Sequence, residues 1–379
     1  MNMIPQERFM RRAIELAELG GGNVHPNPLV GAVIVKDGRI VAEGYHHKYG
    51  ELHAERDCLK NAKENGIDVK GADMYVTLEP CCHTGKQPPC TQAVIESGIK
   101  NVIIGSRDPN ELVNGKGVIQ LRNAGINVIQ DFLKEECDAI NSIFFHYIKT
   151  KMPYVIVKYA MTADGKTSLS DGQSKWITGE LARKNVHKTR GTTAAVMCGI
   201  KTVFADNPML NCRLEGVQYK QPLRVILDRN LELPLDSNIV KTAKEMPVLV
   251  FCSTVAFEKS SAAGKNILAG LGVEVVPVEE KDGHLDLHKV LENLGQRKID
   301  SVLVESGGAL NSSLFFNEAT CLVNEVHAYI APKITGGKAD CIHSPVQGIE
   351  CAELSECVQM NLAGVENFGN DVLLKYKVV

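Results

Sequence analysis

The opening stretch of the chain alternates segments of helical and strand periodicity. Residues 9–19 place apolar side chains at helical spacing, with acidic and basic groups on the outer face. Residues 31–36 and 39–44 are apolar runs flanking Asp37-Gly38, a pair suited to a two-residue hairpin turn. Residues 53–62 read as a helix, 74–78 as a buried strand, and 91–97 as a helix ended by Gly98. Strands are expected at 102–105 and 127–130, with helices at 117–123 and, closing the segment, 133–149. The alternation predicts an α/β sheet layered by helices on both faces.

After Lys151-Met152-Pro153 the pattern starts again with a strand at 154–159 and a helix at 180–189. Further strands are expected at 194–198, 224–227, 248–252, 273–276, 301–305, 325–330 and 371–379. The two parts share no period, and no low-complexity linker joins them. A chain of 379 residues is long for one core, so two α/β domains are expected, 1–150 and 151–379.

Composition narrows the function classes. A hydrophobic content of 44% with 23% charged residues is an ordinary globular balance. The net charge of −3 argues against a nucleic-acid partner, which needs clustered Lys and Arg. The first twenty residues carry charges where a signal peptide needs an apolar run, and no apolar stretch of ~18 residues appears. The twelve cysteines are scattered through a long chain, as buried thiols are and a disulfide framework is not. A cytoplasmic protein away from membranes is the expectation.

Chemistry enters at Glu51-Leu52-His53-Ala54-Glu55 and at Thr77-Leu78-Glu79-Pro80-Cys81-Cys82-His83, which runs on to Cys90. One histidine and two thiolates make a three-ligand zinc site whose fourth position stays open to water, as catalytic zinc requires. Such a centre lowers the pKa of its water toward ~7. Glu55, two residues past His53, reaches that water rather than the metal and can carry its proton to a departing amine. The order His-x-Glu, then Pro-Cys, is that of nucleobase deaminases, although their short cysteine spacing would fall on Thr84. Cys90, opening the next helix, is the expected partner of Cys81, because a helix N-terminus favours thiolate. Cys82 and His83 are rival donors. Different deaminase substrates (cytidine, guanine, a transfer-RNA base) all remain compatible with these motifs.

Together with His25-Pro26-Asn27-Pro28-Leu29-Val30-Gly31 and Gly85-Lys86-Gln87-Pro88-Pro89-Cys90, these pieces resemble the bacterial bifunctional riboflavin-biosynthesis deaminase–reductases. The resemblance continues through Asp164-Gly165-Lys166, Ser174-Lys175-Trp176-Ile177-Thr178, Ala205-Asp206-Asn207-Pro208 and Val304-Glu305-Ser306-Gly307-Gly308, and so covers essentially the whole chain. Cys82 and Gln87 depart from it, standing where serine and threonine are usual. It implies a cytidine-deaminase-like three-layer αβα domain followed by a dihydrofolate-reductase-like α/β domain. It also implies one zinc ion per chain and NADPH as cofactors. The implied reactions are hydrolytic deamination of 2,5-diamino-6-ribosylamino-4(3H)-pyrimidinone 5′-phosphate, then reduction of its ribosyl group to a ribityl chain. Homo-oligomers, dimers or tetramers formed through the reductase half, are implied as well.

Carried over residue by residue, the resemblance places Asn27 at the pyrimidine and His46, His83 and Lys86 at the ribose phosphate. Glu79 is a further candidate for the substrate's amino groups. Ser174, Arg190, Leu210, Arg213 and Glu305 match substrate positions, and Ala160, Trp176, Thr202 and Asp206 match cofactor positions. Arg190 and Arg213 carry guanidinium forks suited to phosphate. Trp176 is expected either to stack on the cofactor or to plug the core. Gly307-Gly308, between a buried strand and a helix, offers the N–H groups of a phosphate cradle, although it lacks the Gly-x-Gly-x-x-Gly spacing and competes with an ordinary turn. Lys158 and Asp206 are candidates for polarising the sugar's carbonyl or imine, Lys158 competing with a partly buried ion pair.

Overall fold

The computed structural model describes residues 4–84, 87–110, 113–169, 171–214, 216, 220–317, 320–336, 343–348 and 351–379. The chain divides into two units, Met1–Lys151 and Met152–Val379. The first contains α1 (Glu7–Glu18), β1 (Gly31–Lys36), β2 (Arg39–Tyr45), α2 (Ala54–Glu64), β3 (Asp73–Leu78), α3 (Cys90–Ser97), β4 (Asn101–Ser106), α4 (Lys116–Asn123), β5 (Asn127–Ile129), α5 (Lys134–Ala139) and α6 (Ser142–Thr150).

Its strands lie in the order β2-β1-β3-β4-β5. β1 is antiparallel to β2 and β3, while β3, β4 and β5 run parallel. Successive strand residues point to opposite faces, and both faces are apolar. On one, Ile34, Met74, Val76 and Ile104 meet Ala54 and Cys58 of α2, Val94 of α3 and Leu121 of α4. On the other, Val33, Tyr75 and Ile103 meet Phe9, Met10 and Leu16 of α1 and Cys137 of α5. The result is three layers, as the alternation predicts. The β1–β2 turn has φ 51° at Asp37 and 73° at Gly38, the positive values such a hairpin requires.

The closing helix expected over 133–149 is instead two helices. Asn141, with φ −116°, breaks it. Its amide accepts from Leu29 N and donates to Leu29 O, both at 2.9 Å, and so pins the loop that carries Asn27. Asn141 is buried, so Asn141→Ala strands two backbone groups. We expect a loss of about 1–3 kcal/mol, read as a lower urea midpoint for the first unit.

The second unit contains β6 (Tyr154–Thr162), α7 (Glu180–Gly191), β7 (Ala195–Gly199), α8 (Ile200–Asp206), β8 (Leu223–Leu227), α9 (Asn238–Lys241), β9 (Val248–Ser253), α10 (Thr254–Lys259), α11 (Ala262–Gly270) and β10 (Val273–Val278). There follow β11 (Glu280–Lys281), β12 (His284–Leu285), α12 (Leu287–Gln296), β13 (Ser301–Val304), α13 (Gly308–Phe315), β14 (Glu325–Ala331), β15 (Met360–Phe368) and β16 (Asp371–Val378). Nine strands form one sheet, β10-β9-β8-β7-β13-β6-β14-β16-β15, parallel as far as β14 and antiparallel beyond it. Val157, Met197, Val225 and Val304 pack under α12 and α13, and on the opposite face Tyr329 and Leu373 pack under α7. β15 escapes sequence reasoning because it is a largely exposed edge strand, without the alternation of a half-buried one. Among the described residues no helix is long and apolar enough to cross a membrane.

Candidate active sites

Two helix starts and one strand end build the first site. His53 caps α2 with extended backbone, and Glu55 lies in that helix's first turn. β3 delivers Glu79, Pro80 and Cys81, and Cys90 opens α3. Cys90 N donates to Cys81 Sγ at 3.4 Å and Thr91 N to Cys81 O at 3.1 Å, so the start of α3 holds Cys81 in place. Arg56 donates to Pro88 O at 3.0 Å and Pro89 O at 2.8 Å, tying the ligand loop to α2. No spacing rule reveals that arginine, since its partners are carbonyls.

His53 Nδ1 lies 3.5 Å from the sulfur of Cys81 and 3.5 Å from that of Cys90. A tetrahedral metal with bonds of about 2.3 Å to sulfur and about 2.05 Å to nitrogen sets N and S about 3.5 Å apart. The three ligand atoms all lie within 4.8 Å of one another. This donor set fits zinc with one coordination position to spare. The rivals Cys82 and His83 lie outside the group.

A hydrogen bond from Cys90 pulls the Cys81 thiol down to about 4, while giving that bond and being buried push Cys90 up. Burial raises the Glu55 carboxyl, and the neighbouring Cys81 adds to the effect. Asp108, which the sequence did not single out, is raised to about 6 by burial, with Glu79 and Cys81 as further causes.

His46, expected at the ribose phosphate, lies in a hydrogen-bonded chain with Asn27. His46 is buried, and its Nδ1 meets Leu52 O at 2.8 Å and its Nε2 meets Asn27 Nδ2 at 3.1 Å. Burial lowers the pKa of the ring, and as placed its Nε2 lies against the Asn27 amide. The Glu79 carboxylate accepts from Gly115 N at 3.0 Å and Val118 N at 3.3 Å, at the start of α4. Such capping suits the positive end of a helix. Gly117 has no room for a side chain there, since a Cβ would meet Pro80 O at 2.3 Å. His83 keeps a buried Nδ1 with no hydrogen-bond partner. Lys86 lies outside the described residues.

In the second unit, candidates gather near the carboxyl ends of parallel strands, where open α/β sheets bind ligands. Glu305, just past β13, takes a two-pronged bond from Arg190 of α7, one arm at 2.9 Å, and faces Lys158 Nζ of β6 at 3.8 Å. Burial alone would raise the Glu305 carboxyl, but Arg190 and Lys158 outweigh it and hold it at about 2. Burial lowers Lys158, against the pull of Glu305. Arg190, expected at the substrate, has two prongs on Glu305 and its remaining nitrogen donating to Asn211 O at 3.2 Å.

Arg213 is exposed, steadied by Asn211 Oδ1 and by His187, whose Nε2 lies 3.4 Å away. His187, absent from the sequence reading, is driven down to about 4 by burial and by the Arg190 and Arg213 charges. Leu210 has φ 48° and a buried side chain, so only its backbone is left to face a ligand. Ser174 Oγ reaches Asp206 at 3.4 Å. Trp176 is 66% exposed, with the Arg183 guanidinium 4.5 Å from its ring centre, so it does not plug the core.

Ala160 lies on β6 opposite Tyr329 of β14, and Thr202 is near the start of α8, whose cap Gly199 donates to Ser306 Oγ at 3.2 Å. Gly307 caps α13 and a Cβ there would meet nothing within 4 Å, whereas at Gly308 it would meet Ser344 O and Gln347 at 2.7 Å. The helix start is therefore open above Gly307 and closely walled at Gly308, which fits a phosphate-bearing cofactor. A cavity of about 220 Å³ is lined by Lys166, Ser174, Lys175, Trp176 and Lys333 among others.

A three-layer αβα unit with a His-Cys-Cys centre and a buried glutamate beside it defines a zinc-dependent deaminase. Residues 3–106 match the cytidine and deoxycytidylate deaminase zinc-binding region, and residues 153–374 match the RibD C-terminal domain. The riboflavin biosynthesis protein RibD of Actinobacillus pleuropneumoniae is 49% identical over 98% of this chain and 95% of its own. That of Escherichia coli is 35% identical over 97% of this chain and 98% of its own. Among solved structures, Acinetobacter baumannii RibD superposes with TM-score 0.84 at 36% identity, covering 98% of both chains. A Thermotoga maritima diaminohydroxyphosphoribosylaminopyrimidine deaminase/5-amino-6-(5-phosphoribosylamino)uracil reductase does so with TM-score 0.83 at 40% identity, again over 98% of both. The chain belongs to the RibD family of riboflavin-biosynthesis enzymes, with a zinc-binding deaminase domain and a reductase domain of the kind that uses NADPH.

Proposed function

We propose that this chain deaminates 2,5-diamino-6-ribosylamino-4(3H)-pyrimidinone 5′-phosphate at C2 and then reduces the ribosyl group with NADPH. The observation that carries this reading is the His53–Cys81–Cys90 group beside Glu55, in a chain that aligns end to end with RibD proteins.

His53, Cys81 and Cys90 would hold the zinc, which supplies Lewis acidity and a water acidic enough to ionise near neutral pH. Glu55 takes the proton at its carboxylate and returns it to the leaving amino group. Asn27, oriented by His46, hydrogen-bonds the pyrimidine ring, and His83 and Lys86 reach the ribose phosphate.

In the reductase, the start of α13 at Gly307-Gly308, with Ala160, Trp176, Thr202 and Asp206, would hold NADPH, the source of hydride. Ser174, the backbone at Leu210 and Arg213 bind the sugar phosphate. Lys158, held by Glu305, donates a hydrogen bond to the sugar oxygen as the ring opens. The protein works in the cytoplasm as a dimer or tetramer joined through its reductase halves.

Arg213 makes the charge-assisted bond to phosphate, so Arg213→Ala should raise the reductase KM about tenfold or more. Its kcat should hold, because that contact is equal in ground and transition states. Steady-state kinetics on the deaminated intermediate checks this. The substrate assignment is tested by offering the diaminopyrimidinone phosphate, cytidine, guanine and transfer RNA separately. Ammonia from the first alone is expected, and faster release from any other would overturn the assignment.

A further inference from the structure

Asp164-Gly165-Lys166 stands out in the sequence, yet none of the proposed steps uses it. β6 ends at Thr162 and the chain doubles back at once. Thr162 N donates to Lys166 O and Gly165 N to Thr162 O, both at 2.9 Å, with Gly165 at φ 78°. The turn aims the Asp164 carboxylate at the segment following β14. Gly336 N donates to its Oδ2 at 2.9 Å and Thr335 N to its Oδ1 at 3.3 Å, and the Thr162 hydroxyl also donates to Oδ1. These donors, the Thr162 hydroxyl foremost, hold the carboxylate ionised.

Three further ties run the same way. Ala163 N donates to Lys333 O at 2.9 Å, and Lys333 Nζ reaches on to Trp176 O at 2.8 Å. Thr167 N donates to His343 O at 2.8 Å, at the start of the short segment whose Ser344 and Gln347 wall Gly308. Residues 333–336 thus brace both the root of the loop, at Asp164, and its far end, at Trp176. Between those braces lies Ser174.

We infer that Asp164 is a positioning residue of the reductase: by clamping the root of this loop to the backbone at Thr335 and Gly336, it sets where Trp176 meets the cofactor and Ser174 the substrate. A carboxylate is the group the geometry asks for, because two backbone N–H groups and a hydroxyl converge on it. Asparagine keeps one oxygen acceptor but turns an N–H₂ toward a backbone N–H. The inference rests on reading this unit as an NADPH-dependent reductase.

Trp176 is the chain's one tryptophan, so its emission reports this loop directly. The full chain, Asp164→Asn and Asp164→Ala are titrated with NADPH by Trp176 emission, and reductase kinetics and ammonia release are measured on the same preparations. With the clamp removed, Asp164→Ala should bind NADPH about tenfold more weakly, with altered Trp176 emission before any ligand is added. The KM for NADPH should rise more than kcat falls, Asp164→Asn should lie between, and ammonia release should match wild type.

Wild-type affinity and emission in Asp164→Ala would overturn the clamp. So would a parallel loss of ammonia release, which would mark a general folding defect. Wild-type protein that binds no NADPH would overturn the reductase reading and the clamp with it, an outcome distinct from failure of the clamp alone.

Discussion

Glu55→Gln should keep one zinc per chain and cut ammonia release by about 10²–10⁴-fold, the range for removing a general acid–base group. Glutamine has nearly the same shape and can still accept a hydrogen bond, but it cannot hold and return a proton. Glu55 is buried in the first turn of α2 and is not among the three ligand atoms, so the donor set survives the change. Metal analysis and an ammonia assay on one preparation separate the two effects. His53→Ala makes the contrast, since it should lose metal and activity together.

Glu305→Gln should remove reduction and weaken the second unit by about 3 kcal/mol, because taking one partner from a buried ion pair leaves uncompensated charge. Here two cations, Arg190 and Lys158, lose their shared anion, and all three side chains are mostly shielded from water. The pH dependence follows from the depressed Glu305 value. Its contribution is complete above the ordinary carboxylate value of 4.5 and is lost as pH falls from there toward about 2. Urea midpoints of the wild type should drop through that acid window, and those of Glu305→Gln should drop less. Ammonia release should persist in the variant.

The zinc centre was legible because its chemistry is written in residue type and local position. His53, Cys81 and Cys90 each stand at the end of a strand or the start of a helix, and those ends show in the apolar pattern. What stayed hidden depends on partners remote in sequence. Asn141 breaks a helix because its amide is claimed by Leu29, 112 residues earlier. Glu79 takes its backbone donors from the start of α4, 36 residues later.

Arg190 and Arg213 carry the same guanidinium, and only the fold shows that one is spent on Glu305 while the other is exposed. Trp176 could be core or platform by sequence, and its exposure decides against core. Both sheets, by contrast, follow from alternation and apolar runs. In the nine-stranded sheet the exposed edge β15 leaves no such trace, nor do the two-residue strands β11 and β12 outside it.

The central claim, two consecutive steps on one chain, is tested most directly by NADPH consumption in Glu55→Gln. The account predicts that this variant oxidises no NADPH when given the diaminopyrimidinone phosphate, yet matches wild type when given the deaminated 5-amino-6-ribosylaminouracil phosphate. Equal NADPH oxidation from the undeaminated substrate by variant and wild type would contradict it, because reduction would then not depend on the step assigned to Glu55.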